Sequence, residues 1–136
     1  MVAAGQNGAM TKPRFTMVVV LVADLARSVA FYRHLGVEFP PDAETRADIV
    51  VPIGDEHQFV LTTTFIQAVP GYEPSRGATG IVLEFFVEGD AAVDATYAEL
   101  TGAGYAGRQA PFRTYFGAWM AMVDDPDGNV VLITAG

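Results

Sequence analysis

The 136-residue sequence contains no cysteine. Disulfides, thiolate metal sites and cysteine nucleophiles are therefore excluded, and a reducing compartment is the expected setting. Basic residues are scarce: eight Lys and Arg stand against sixteen Asp and Glu, a formal net charge of −8. A chain of that sign is repelled by phosphate backbones and by anionic lipid, so no nucleic acid and no membrane is expected as a partner. No apolar stretch nears the roughly 20 residues of a membrane-spanning helix. The N-terminus lacks the basic region and apolar block of a secretion signal. The expected location is cytoplasmic. Glycine-rich phosphate loops are absent. There are two histidines, and neither stands near Ser28 in the pattern, so no nucleophile triad can be assembled.

What is present is apolar. The hydrophobic share is 51%, enough for one domain with a sizeable core. Residues 1–13 are small and polar without periodicity, a mobile tail; residues 14–136 form the domain. Phe15 to Val22 reads as a strand apolar on both faces, hence central and covered on both sides. Asp24 caps a helix from about Leu25 to Leu35, which Gly36 stops. Leu25, Val29 and Tyr32 share one stripe of it. Val37 to Phe39 reads as a short strand ended by Pro40-Pro41. Ala47 to Ile53 and Gln58 to Thr64 are the next strands, and Pro52 pushes the former towards an edge. Residues 65–80, with Pro70, Gly71, Pro74, Gly77 and Gly80, form a linker.

Then the pattern restarts. Ile81 to Val87 is a strand, and Asp90 caps a helix from about Ala91 to Leu100, ended by Gly102 and Gly104. A weak strand follows near Tyr105 to Gln109. A hairpin closes the chain, Trp119 to Val123 and Val130 to Thr134, around Asp125-Pro126-Asp127-Gly128-Asn129. Pro126 suits the second position of a type I turn, and Gly128 and Asn129 tolerate positive φ. Strand, helix, three strands recurs with a period of about 65 residues. The fold class is α+β, two tandem βαβββ modules (about 14–64 and 81–136) forming curved mixed sheets around a cavity.

The segments Val22-Ala23-Asp24-Leu25-Ala26-Arg27-Ser28, Phe31-Tyr32-Arg33-His34-Leu35-Gly36, Leu83-Glu84-Phe85-Phe86-Val87 and Asp125 to Asn129, in this order and spacing, resemble the vicinal oxygen chelate superfamily. That superfamily groups glyoxalase I, bleomycin-resistance proteins and extradiol dioxygenases. The resemblance implies a homodimer, with modules paired within or across chains. It also implies, for the metal enzymes of the group, a divalent ion on four strand positions, usually His or Glu. Matched segment by segment, these positions fall on Met17, Val60, Val82 and Leu132. None carries the imidazole or carboxylate that a hard cation needs. No metal, no cofactor and no catalytic residue is therefore expected. The closest character is that of the metal-free bleomycin-resistance-like group, which implies a protein that binds or sequesters a small, partly aromatic molecule such as an antibiotic.

Strand alternation assigns the residues of such a site. Met17, Val19, Val82, Glu84, Met120, Met122 and Leu132 point into the cavity, with Phe116 at its mouth. Three of the five methionines thus meet there, where a flexible, polarizable side chain suits an adaptable pocket, or else fills an irregular core. Glu84 is a carboxylate in an apolar strand. It is either an orienting acceptor or base, or the partner of Arg14, Arg108 or Arg113, or a rim residue in water. Trp119 points away from the cavity, under a helix or at a subunit contact. His34 lies at a helix C-terminus and His57 at a hairpin tip. Two other readings stay open. One is a metal-dependent lyase or dioxygenase with a shifted site using Glu84, Gln58 and His57. The other is a structural or regulatory protein with a filled cavity.

Overall fold

In the computed structural model, residues 12–75, 77 and 79–135 are described. The tail expected over residues 1–13 lies almost wholly outside them. The elements run β1 (Met17–Leu21), α1 (Leu25–His34), a 3-10 turn (Ala43–Thr45), β2 (Asp48–Ile53), β3 (His57–Thr62), α2 (Phe65–Ala68), β4 (Val82–Phe86), α3 (Asp90–Gly102), β5 (Gly107–Arg113), β6 (Trp119–Asp124) and β7 (Val130–Thr134). They build two mixed sheets, ordered β1-β3-β2 and β4-β7-β6-β5. In each, the first strand of the repeat pairs in parallel with the last, and the remaining pairs are antiparallel. The class is α+β with an internal repeat, as the pattern implied.

Three local expectations fail for physical reasons. Residues 37–39 form no strand, so the first sheet is one strand short. Phe39 buries its ring in the core beneath the Arg33 guanidinium, 5.5 Å away, and Pro40 and Pro41 then remove two ladder donors. Second, β1 is an edge strand and not a central one. Val18, Val20 and Val22 turn to the core, while Met17 and Val19 are well exposed. Third, Asp90 is not the cap of α3. Gly89 holds that position, and the Asp90 carboxylate instead accepts from Arg113 Nη2 at 2.6 Å. The last weak strand also begins later than expected, at Gly107. Pro52 does sit in an edge strand, β2, and Asp24 does cap α1, accepting from the Arg27 amide at 3.2 Å.

One core serves both repeats. Leu25, Val29, Phe31 and Tyr32 of α1 and Val93 and Leu100 of α3 are buried with Val20, Ile49, Leu61, Ala121, Val131 and Ile133 of the sheets. At the surface His34 Nδ1 of α1 lies 2.7 Å from Glu99 Oε2 of α3.

The turn between β6 and β7 clamps the two repeats together. Asp125 is only 4% exposed. Its Oδ1 accepts from the amides of Asp127 and Asn129 at 2.9 and 2.8 Å. Its Oδ2 accepts from the Tyr32 hydroxyl at 2.6 Å and from Asn129 Nδ2 at 2.9 Å. Asp127 reaches the start of α1, accepting from the Ala23 amide at 3.0 Å and the Ser28 hydroxyl at 3.4 Å. Burial, reinforced by the Asp125 and Asp127 carboxylates, pushes the Tyr32 hydroxyl far above the ordinary tyrosine range. Gly128 has φ +87°, and a Cβ there would stand 2.9 Å from Gly77 Cα. Both the conformation and the close approach demand glycine.

Candidate functional site

The side chains on which function was expected lie on the sheet faces turned away from the core. Register aligns them in rows, because paired residues project to the same side. On the first sheet, Met17 stands beside Gln58, with Pro52 next, and Val19 beside Val60, with Val50 next. On the second, Glu84 stands beside Leu132, which stands beside Met122, with Gln109 next. Val82 pairs with Val130, and Met120 lies between Thr134 and Phe112. Five of the eight expected residues therefore share one face: Val82, Glu84, Met120, Met122 and Leu132. Met17 and Val19 share the corresponding face of the other sheet. Phe116 lies in the turn after β5, 63% exposed, its ring 5.2 Å from that of Tyr115.

These faces are apolar and open to water chiefly along β1 and β4, while Val60, Val130 and Thr134 within them are buried. Val82 is 45% exposed and Phe86 65%, although both lie in a strand whose other face meets the core. Glu84 is exposed as well. The arginines considered as its partners are committed elsewhere. Arg14 meets Glu56 at 3.7 Å, Arg108 meets Asp124 at 2.6 Å and Arg113 meets Asp90 at 2.6 Å. Glu84 is a residue in water. Trp119 packs against the core and donates from Nε1 to Asp94 of α3 at 2.8 Å, with the Arg113 guanidinium 4.9 Å from its ring. It lies under a helix and away from Met120.

The shifted metal set does not converge. His57 and Gln58 are consecutive in β3 and so project to opposite faces, while Glu84 belongs to the other sheet. Among the described residues no three His, Asp or Glu side chains gather as a metal site requires. The four matched positions Met17, Val60, Val82 and Leu132 offer hydrocarbon and one thioether. This donor set does not fit a hard divalent ion.

Two features escaped the sequence. Asp48, at the start of β2, accepts from the Thr62 hydroxyl and from Thr64 Oγ1 at 2.8 and 2.9 Å to its two oxygens. These hydroxyls hold its carboxyl below the usual range and fasten the exit from β3. The second is a cleft of about 550 Å³ between the repeats, to which Glu84 is the one expected residue that contributes. Both depend on residues far apart in the chain, and neither leaves a local pattern.

Comparison with known proteins fits this geometry. Residues 14–133 match the model of the Glyoxalase/Bleomycin resistance protein/Dioxygenase superfamily. The chain belongs to that superfamily. A glyoxalase/bleomycin resistance protein/dioxygenase family enzyme from Burkholderia phytofirmans has a similar structure, with TM-score 0.72 and 21% identity over 88% of this chain and 96% of that one. A glyoxalase-related enzyme from Fulvimarina pelagi gives TM-score 0.72 at 18% identity over 90% and 88%. A superfamily member from Sphaerobacter thermophilus gives TM-score 0.64 at 23% identity over 92% and 98%. At such identities these likenesses establish the shared glyoxalase-superfamily fold and nothing of the chemistry. Against curated proteins the sequence finds no significant match. No helix among the described residues is long and apolar enough to cross a membrane.

Proposed function

We propose that this glyoxalase-superfamily protein binds and sequesters a small, partly aromatic molecule, such as an antibiotic, without using a metal ion. One observation carries the reading. The strand positions that the resemblance assigns to metal ligands are Met17, Val60, Val82 and Leu132, and they stand in apolar rows with Val19, Val50 and Met122. Such a surface offers area to a flat apolar body, worth about 25 cal/mol for each Å² removed from water. Met120 and Met122 adapt to its shape. Glu84, uncommitted and exposed, orients the ligand or draws a cationic one. No catalytic residue is assigned.

A homodimer completes this reading. The exposed apolar faces and the open edges of β1 and β4 need cover, and a second copy supplies a matching surface. The cytoplasm, where a cysteine-free chain has nothing to gain from oxidation, is the proposed setting.

A thermal-shift screen of aromatic antibiotics tests the proposal, since a ligand of the folded state raises the melting temperature. At least one compound should do so, and Met17→Glu combined with Leu132→Glu should abolish the effect. A stoichiometric divalent metal in the purified protein would overturn the reading. So would a ligand response unchanged in the double variant.

A further inference from the structure

On the core side of the sheets, beyond the end of α1, the two repeats part. Val18, Val51 and Phe59 of the first sheet and Leu83 and Phe85 of the second line a cleft of about 550 Å³. The segment Gly36 to Glu38, outside either sheet where the first repeat lacks its strand, passes along it. The volume falls within the roughly 300–1,000 Å³ of small-molecule sites. Glu38 and Glu84 also line the cleft, and among the described residues no Lys, Arg or His does. Five described arginines are engaged with other carboxylates, at Glu56, Asp24, Glu44, Asp124 and Asp90. Among the described residues neither Glu38 nor Glu84 has an ion-pair or hydrogen-bond partner. An apolar floor with aromatic rings thus lies beside two uncompensated negative charges.

We infer that this cleft is a second binding site, selective for a small organic cation with a flat apolar body. The aliphatic floor takes the body. The faces of Phe59, Phe85 and Phe86 favour a positive guest, as aromatic quadrupoles do. The two carboxylates supply the counter-charge, and the chain's net charge of −8 steers a cation inward. The cleft shares Pro52, Glu84 and Phe86 with the open faces invoked above and takes the rest of its lining, Val18, Gly36 to Glu38, Val51, Ile53, Phe59, Leu83 and Phe85, from elsewhere.

The test uses one ring system in three charge states: 9-aminoacridine as the cation, acridine as the neutral analogue and acridine-9-carboxylate as the anion. Each is titrated by fluorescence into the full-length protein at neutral pH. The cation should bind at one per chain, roughly tenfold more tightly than acridine, as two partly screened charge contacts allow. The anion should bind most weakly, and the cation's advantage should shrink with added salt. Glu38→Gln should remove much of that advantage without weakening acridine. Val37→Trp should block both compounds, and Ile53→Trp, at an exposed position on the rim, repeats the block should the first variant lose its fold. Ala98→Trp, on the exposed side of α3 and away from both sites, should change neither. Equal binding of all three compounds, or of none, overturns the inference. Loss of binding in Met122→Trp, on the open face, but not in the two blocking variants overturns it too, and would favour the open-face site instead.

Discussion

Asp125 and Glu84 are both carboxylates of the second repeat, and their surroundings are opposite. Asp125 is buried and accepts four hydrogen bonds, from Tyr32, Asp127 and both nitrogens of Asn129. Glu84 is exposed on an apolar face, and among the described residues nothing donates to it. The difference teaches where to look for function in this chain. Polar residues that carry the family likeness at the two ends of the chain, Asp24, Ser28, Tyr32, Asp125 and Asn129, use their polar atoms to hold a helix cap and an inter-repeat clamp. They mark a scaffold, and a scaffold hosts many chemistries. The polar atoms left for a ligand lie on the other side of the sheets and in the cleft.

The contrast breaks most clearly at the clamp. Asp125→Ala removes all four hydrogen bonds and strands the buried Tyr32 hydroxyl, for an expected cost of about 3–5 kcal/mol in urea unfolding. A cost below about 1 kcal/mol would mean that the clamp does not join the repeats. Tyr32→Phe should cost less, about 1.5–3 kcal/mol. The ring stays in place, edge-on to Phe31 at 4.9 Å and Phe59 at 5.1 Å, and only the bond to Asp125 goes.

The same tyrosine predicts an alkaline limit. Its proton is held in the folded protein to a pH well above the usual value of about 10. Above pH 10 the unfolded chain therefore binds fewer protons at this site than the folded one, and stability falls as pH rises. The stabilisation is complete below that pH and declines by about 1.4 kcal/mol per pH unit above it. Urea midpoints from pH 9 to 11 should show this slope in the native protein and lose it in Tyr32→Phe. Asp48 gives a smaller effect of opposite sign. Hydrogen bonds from Thr62 and Thr64 lower its carboxyl, so its contribution is present above the usual aspartate range and is lost as pH falls below it. Asp48→Asn should blunt that acid loss.

Much of the scaffold was legible because its signals are local. The Asp24 cap, the Gly36 stop and the final turn need no more than five neighbouring residues each. Strand alternation placed Met17 and Val18 on opposite faces correctly. The errors came where a distant partner decided the outcome. Tyr32 reads as one more apolar member of the α1 stripe, and nothing nearby announces that its hydroxyl meets a carboxylate 93 positions away. Phe39 looks like a strand residue until the core claims its ring. The apolar run of β1 reads as a central strand, yet it is an edge whose outer face is open. That mismatch is itself informative, since a sequence built for cover on both faces is what a strand at an assembly contact would show.

The smallest expected effect sharpens the comparison furthest. Glu84→Gln and Asp125→Asn make the same chemical change, one carboxylate oxygen for an amide nitrogen. At Asp125 the new amide must face donors, whichever way it turns: the Asp127 and Asn129 amides on one side, Tyr32 and Asn129 Nδ2 on the other. At Glu84 it faces water. Stability in Glu84→Gln should therefore stay within about 0.5 kcal/mol of the parent, measured at low protein concentration, where association contributes least. Affinity for an organic cation should fall. If Glu84→Gln instead costs more than 1 kcal/mol, and the cost grows with protein concentration, Glu84 has its partner in a second copy. The open face would then be an interface rather than a site, and the cleft would keep Glu38 alone as its counter-charge.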